Sequence, residues 1–286
     1  MRYEAPETVK SAVSLLAKEK GLAFVLAGGT DLLVKMKAGI VEPDLVVDIK
    51  HIKGMYEVKK SAAGFRMGAA VPGVALSENA ALVKAWPGIV EGANLIGSKQ
   101  VQGRCTIVGN LCNGSPAADG VPALIAANAK VVVSGPKGKR TIPVEQVPLS
   151  PGRTSLKKGE IIEAILLPKR PPKSSDAYLR FIPRTEMDIA VVSAAVNLTL
   201  DAKGMVKDAR VVLGAVAPTI IVVPAAAKAL IGSRLDDAAL EKLSAACSAA
   251  CRPIDDKRGT IEFRTKVAGV LARRAAEIAF KRAGGK

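Results

Sequence analysis

The 286-residue sequence predicts an α+β protein of two domains. Three observations carry that prediction. Near the start, a strand, a glycine turn, a helix and a second strand follow one another as a βαβ-like unit. Much later a basic stretch with three prolines and no apolar residue, Pro168 to Asp176 ("PKRPPKSSD"), reads as a linker. After it strands come first and helices second, the order of a small α+β domain. The expected division is 1–172, in subdomains of about 1–56 and 57–172, followed by 173–286.

The elements follow in order. "PETVKSAVSLLAKEKG" is expected to be a helix, with Pro6 near its start, Val9, Val13, Leu15 and Leu16 at apolar spacing, and Gly21 past its end. Ala23 to Leu26 is a short strand, Gly28-Gly29-Thr30 a tight turn, a helix starts near Asp31, and "PDLVVDIK" is the second strand. "FRMGAAV" reads as a strand, and "ALVKAWPGIVEGANLIG" as helical with a break at Pro87. "GVPALIAANA" reads as a helix, and "KVVVSGPKGKRTIPV" as a hairpin turning at Gly135 to Gly138. "EIIEAILLP" is another strand. Beyond the linker, "AYLRFIP", "DIAVVSAAVNLTL" and "VKDARVVLGAV" are strands; "PAAAKALIG" and "DDAALEKLSAACSAA" are helices. A long basic helix from Gly259 carries Phe263, Val267, Val270, Leu271 and Ile278 on one side.

Composition narrows the function. Hydrophobic residues make up 49% and aromatics only 3%, so a large core is built from Val, Leu, Ile and Ala. Lys and Arg number 42 against 26 Asp and Glu, a net +16. That charge suits nucleic acid, an anionic cofactor or an acidic partner. The bases are spread along the chain without a nucleic-acid motif, so no nucleic acid is expected. "MRYEAPETVK" lacks the apolar run of a signal peptide, and no window approaches the ~18 apolar residues of a membrane span. Cys105, Cys112, Cys247 and Cys251 form no C-x-x-C pair, and His51 is the one histidine. No metal site made by this chain is expected. Cys247 and Cys251, four apart in an Ala-rich helix, read as small buried residues in a reducing, cytoplasmic setting.

Two glycine stretches carry the chemistry. In "AGGTD" the glycines let a ligand approach the main chain; the first N–H groups of the helix then face it, with the Thr30 hydroxyl beside them. An anion such as a diphosphate is the fitting guest; an ordinary tight turn between strand and helix uses the same residues. In "TIVGNLCNGSPAADG" the side chains are too small for a core. Gly109 and Gly114 permit close approach, Asn110 and Asn113 donate and accept, and Asp119 can accept from a sugar hydroxyl. A glycine-rich surface loop is the plain alternative. Two such stretches in one N-terminal domain point to one extended ligand between them.

"LAGGTDLLVKMKAG" and "TIVGNLCNGSPAADGVPALIA" resemble the paired FAD-binding motifs of the medium subunit of the xanthine dehydrogenase and carbon monoxide dehydrogenase family of molybdenum hydroxylases. The likeness continues through "RFIPRTEMDIAVVSAAVNLTL", "DARVVLGAVAPT" and "PIDDKRGTIEFRTKVAGVLARRA", nearly the whole chain. It implies a two-subdomain FAD-binding domain of the vanillyl-alcohol-oxidase-like type. A C-terminal α+β domain with a three-stranded antiparallel sheet follows. Ala27, Gly28, Gly29, Thr30 and Asp31 would hold the FAD diphosphate. Thr106, Gly109, Asn110, Cys112 and Asn113 would line the flavin and the sugar-phosphate chain, with Ala118 and Asp119 completing the cradle. Ile96 and Gly97 would sit beside them, Ile162 would pack on a ring face, and Arg180 would stand near the flavin, its alternative being a surface arginine. Cys112 would lie against the flavin or simply pack.

Two departures stand out. Val108 takes the place of a glycine common in the family, which strains the chain if that position needs positive φ. The four-cysteine insertion of some members is missing. The resemblance implies a molybdopterin-binding large subunit, a small subunit with two [2Fe–2S] clusters and an external electron acceptor as partners. Positive charge would then favour anionic reduced flavin and steer acidic partners. A stand-alone flavin oxidase or reductase would need its own substrate pocket and base, for which His51, Tyr56 and Tyr178 are the candidates. A basic binding module without flavin is the remaining alternative.

Overall fold

The computed structural model describes residues 1–285. The first subdomain runs β1 (Arg2–Glu4), α1 (Val9–Lys18), β2 (Ala23–Leu26), α2 (Leu32–Lys37) and β3 (Leu45–Asp48). Its three strands are parallel in the order β1-β3-β2, so the expected βαβ unit is present, with Ala23 opposite Leu45. Leu45 to Asp48 are all buried, as a central parallel strand requires. Thr8 caps α1 by accepting from the Ser11 N–H at 3.1 Å, and Ala12, Val13 and Leu16 bury its inner face.

The second subdomain contains β4 (Val58–Ser61), β5 (Gly64–Gly68), α3 (Gly73–Glu78), α4 (Ala80–Ala85), α5 (Pro87–Asn94) and α6 (Lys99–Gln102). There follow α7 (Ile107–Cys112), α8 (Val121–Ala126), β6 (Lys130–Gly135), β7 (Gly138–Pro143), β8 (Pro148–Ser150), β9 (Arg153–Thr154) and β10 (Ile161–Pro168). An antiparallel sheet of order β4-β5-β10-β6-β7 forms its base, and β6 and β7 are the expected hairpin. Pro87 stands at the first position of α5, where its missing N–H costs nothing; this produces the expected break. One expectation fails. "TIVGNLC" is not a bare loop: Ile107, Val108 and Leu111 are buried in α7, Ile107 and Leu111 one helical turn apart, with Val108 at the edge beside Gly109, Asn110 and Cys112. Val108 has ordinary helical geometry and is absent from the positive-φ positions, so replacing glycine there causes no strain.

Beyond residue 173 come β11 (Ser174–Phe181), β12 (Val192–Leu200), β13 (Val206–Gly214) and β14 (Ile221–Val222). The helices α9 (Pro224–Leu230), α10 (Asp237–Ala250) and α11 (Ile261–Arg282) complete the chain. The sheet has four strands in sequence order, which corrects the expected three. A two-residue strand carries no periodicity to read. The buried side of α11 includes the expected Leu271, with Val267 and Ile278 packed against it, and differs from expectation at Phe263 and Val270. Ala268, Leu271, Ala272, Ala275, Ala276 and Ala279 form it, while Phe263 and Val270 are more than a third exposed. Alanines let the long helix lie close against the sheet. The near-continuous apolar run of β12 is explained by burial on both faces. Tyr178, Ala195 and Val212, aligned across three strands, join the core of the N-terminal half. Ala177, Ala194, Val196, Val211 and Leu213 join a second core under α9, α10 and α11. α5 and α8 thus cover one face of the C-terminal sheet. Among the described residues no helix is long and apolar enough to cross a membrane.

Candidate functional site

The two glycine stretches meet in one cleft of ≈ 420 Å³. One wall begins where β2 ends. Gly29 has φ +76°, a conformation glycine adopts freely, and it turns the chain into α2. A Cβ on Gly28 would lie 2.0 Å from the Arg104 carbonyl, so the first turn packs directly on the turn between α6 and α7. Among the described residues the main-chain N–H groups of Gly29, Thr30 and Asp31 find no acceptor in the protein. They stand in the cleft wall as unpaired donors, the arrangement that suits an anion.

The opposite wall is built on α7. The Thr106 hydroxyl caps it by accepting from the Gly109 N–H at 2.9 Å. Asn110 Oδ1 accepts from the Gly120 N–H at 3.0 Å and so folds the following loop back onto the helix. Lys35 Nζ donates to Asn113 Oδ1 at 2.8 Å, and Asn113 Nδ2 donates to Asp31 Oδ1 at 3.3 Å. This polar chain joins the first subdomain to the second. Ile161 and Ile162 on β10, with Gly152, Thr154 and Leu156, complete the lining.

The cleft wall gathers Ala27, Gly28, Gly29, Thr30, Asp31, Ile96, Thr106, Gly109, Asn110, Cys112, Asn113 and Ile162 from the sequence expectations. Gly97, Ala118, Asp119 and Arg180 lie outside it. Gly97 forms the turn after α5 with φ +63°, and Ala118 is buried behind the wall. Arg180 is neither a surface residue nor part of the wall: Nη1 donates to Asp119 Oδ2 at 2.6 Å, while the Tyr178 hydroxyl donates to Oδ1 at 2.8 Å. Both Asp119 oxygens are therefore engaged by the C-terminal half. Desolvation pushes the Asp119 carboxyl up to about 6, and the Arg180 charge keeps it from rising further. Sequence reasoning missed Lys35, Cys105, Val108 and Leu156 on the wall. Lys35 was within reach, since it lies one helical turn after Asp31; the segment 152–156, with Gly152 and Leu156, gave no periodic signal.

Neither thiol on the wall is set up as a nucleophile. Burial pushes the Cys105 thiol up to about 11 and that of Cys112 up to about 12, so both stay neutral near pH 7. Glu160 accepts from Arg140 Nη2 at 2.8 Å and from Nε at 3.1 Å; these bonds hold its carboxyl below the usual range. Unpaired N–H donors, amides and apolar faces from Ile96, Ile162, Val108 and Leu156 make a binding site whose ligand brings its own chemistry. A diphosphate fits the donors, and a flat ring fits the bare slot between the two walls.

Fold and cleft together define a protein that holds a dinucleotide-type redox cofactor. Residues 1–170 match the family described as FAD binding domain in molybdopterin dehydrogenase. Residues 177–279 match the CO dehydrogenase flavoprotein C-terminal domain. The carbon monoxide dehydrogenase medium chain of Afipia carboxidovorans is 35% identical over 282 residues, 98% of this chain and 97% of that protein. The xanthine dehydrogenase FAD-binding subunit of Escherichia coli O157:H7 is 28% identical over 99% and 97% of the two chains. The structure of reconstituted CO dehydrogenase from Oligotropha carboxidovorans superposes with a TM-score of 0.93 at 34% identity, covering 99% of this chain and 98% of that one. The chain belongs to the FAD-binding medium subunits of the molybdenum hydroxylases, which are parts of multi-subunit oxidoreductases.

Proposed function

We propose that this chain is the electron-transfer subunit of a three-part complex. A large partner holding molybdopterin oxidises the substrate, a small partner with [2Fe–2S] clusters delivers electrons, and an external acceptor removes them. Bound in the cleft, FAD supplies the redox chemistry that links one-electron donors to such an acceptor. The carrying observation is that two glycine-rich stretches some 80 residues apart close one cleft whose wall presents unpaired main-chain donors.

In this reading Ala27 to Asp31 hold the diphosphate. Thr106, Gly109, Asn110, Cys112 and Asn113 line the flavin and its sugar-phosphate chain, and Ile96 and Ile162 face the ring. Gly97, Ala118, Asp119 and Arg180 act from behind the wall by fixing the loops that form it. The domain boundary is placed at 172/173, between the end of β10 at Pro168 and the start of β11 at Ser174. A cytoplasmic location accords with four cysteines that are all free thiols.

The test is a visible spectrum of the full chain after FAD is added and the excess removed. The chain should retain flavin, and it should turn over no organic substrate alone. Asn110→Asp keeps the oxygen that accepts from Gly120 but replaces the amide donor with negative charge; it should lose most of the flavin while staying folded by circular dichroism. A folded wild-type chain that retains no flavin refutes the reading.

A further inference from the structure

Lys35 is the one cationic side chain on the cleft wall among the described residues. The other charged residues there are Asp31 and Glu160, and Glu160 is already paired with Arg140. With Glu160 neutralised by Arg140, the remaining side-chain charges of the wall, Asp31 and Lys35, cancel, and an anionic cofactor meets no net positive charge from side chains. The main-chain donors at Gly29 to Asp31 add partial positive character, and among the described residues Lys35 supplies the one full positive charge of the wall.

The placement of Lys35 is built, not incidental. It sits in the last turn of α2, and its main-chain N–H donates to the Asp31 carbonyl at 3.0 Å. Its half-buried ammonium donates to the neutral carbonyl of Asn113 at 2.8 Å. Among the described residues no carboxylate lies within ion-pair distance of it. The Asn113 amide stands between the two charges instead, its oxygen accepting a hydrogen bond from Lys35 and its nitrogen donating to Asp31. An ammonium ion aimed into a cleft and satisfied by an amide, with no counter-charge, is prepared for an anion. The surface lysines of this basic chain differ, since none of them projects into this wall.

We infer that Lys35 is the electrostatic determinant for FAD: its ammonium compensates the diphosphate charge, and Asn113 holds it in position. This rests on the FAD reading of the cleft and adds a residue that its glycine motifs do not include. The consequence is graded by salt. Screening lengths fall from ~10 Å at 0.1 M to ~3 Å at 1 M, so a charge-based contribution fades across that range while a packing contribution does not.

The experiment titrates the flavin-free full chain with FAD, following flavin fluorescence at several salt concentrations, for wild type, Lys35→Gln, Lys35→Arg and Asn110→Asp. Lys35→Gln removes the charge and keeps a polar, flexible side chain one bond shorter. It should raise the Kd about tenfold at low salt, a typical loss for one charge-assisted contact. Its salt dependence should be visibly shallower than that of wild type, and the two should converge at high salt. Lys35→Arg should restore most of the affinity and the salt dependence. A Lys35→Gln chain with wild-type affinity and wild-type salt dependence overturns the inference, as does a loss that is equal at all salt concentrations. Failure of the wild type itself to bind FAD would instead sink the reading of the cleft, a separate outcome seen in the same titration.

Discussion

Asp119→Ala is the substitution whose cost follows most directly from the structure. Asp119 accepts from the Tyr178 hydroxyl at 2.8 Å and from Arg180 Nη1 at 2.6 Å, across the boundary between the two halves. The Arg180 side chain is only 4% exposed, its Nε already lacks a partner, and its remaining acceptor is the Asp188 carbonyl at 3.3 Å. Truncating Asp119 strands a buried guanidinium and a buried phenol. Breaking a buried pair on one side costs about 3–5 kcal/mol, whereas removing both charges costs far less. Asp119→Ala should therefore destabilise the chain by about 4 kcal/mol, and Asp119→Ala with Arg180→Met by about 1–2 kcal/mol, the residue of the unsatisfied Tyr178 hydroxyl. Urea unfolding reads this well. Trp86, the one tryptophan, is buried in the N-terminal core, and far-UV circular dichroism follows the helices of both halves. A single variant within about 1 kcal/mol of wild type, or a double variant less stable than the single, would refute the buried-clamp argument.

Two further outcomes are expected. Gly29→Ala forces a Cβ onto φ +76° and to 3.0 Å from the Leu26 and Leu33 side chains, so it should cost about 1–2 kcal/mol and weaken FAD retention; unchanged melting and unchanged flavin content would contradict the turn geometry. Desolvation pushes Asp119 and Asp176 up to about 6, above the ~3.9 of an unfolded chain. The folded state then binds more protons between those values, so their contribution is full below about pH 4 and is lost as pH rises through about 6, at most about 3 kcal/mol each. Asp119→Asn and Asp176→Asn should each flatten the fall in urea midpoint from about pH 4.5 to 6.5, and an unaltered slope in both would count against the assignment.

Much of this fold was legible because its elements are periodic or punctuated. Pro87 at the start of α5, the glycine turn into α2 and the hairpin at Gly135 to Gly138 all stand where their backbone chemistry places them. The unread parts share a cause. In α7 three apolar side chains are diluted by Gly109, Asn110 and Cys112, which face the cleft, so a functional face masked a helical one. In α11 the buried stripe is alanine, and hydropathy ranks Phe263 and Val270 above it although close approach to the sheet favours the smaller residue. The cleft residues were legible as motif, because bare backbone and amides are local features. The roles of Lys35, Asp119 and Arg180 were not, because each depends on a partner 59 to 78 residues away.

Those distant contacts connect the site to the rest of the chain. The loop after α7 begins at Asn113, bound to Lys35 in the cleft, and reaches Asp119, bound to the C-terminal half, within six positions. It is pinned from both sides: the Gly120 N–H donates back to Asn110, and the Ala215 N–H donates at 2.8 Å to the Pro116 carbonyl. The C-terminal sheet, buried on both faces, thus acts as a rigid backing for one wall of the cleft. This gives the C-terminal elements a physical task that needs no catalytic group of their own. They hold in place the loop that follows α7, a loop too poor in side chains to hold itself. A loop with so little bulk cannot be fixed by packing, and Asp119, Tyr178 and Arg180 fix it with charge and hydrogen bonds instead.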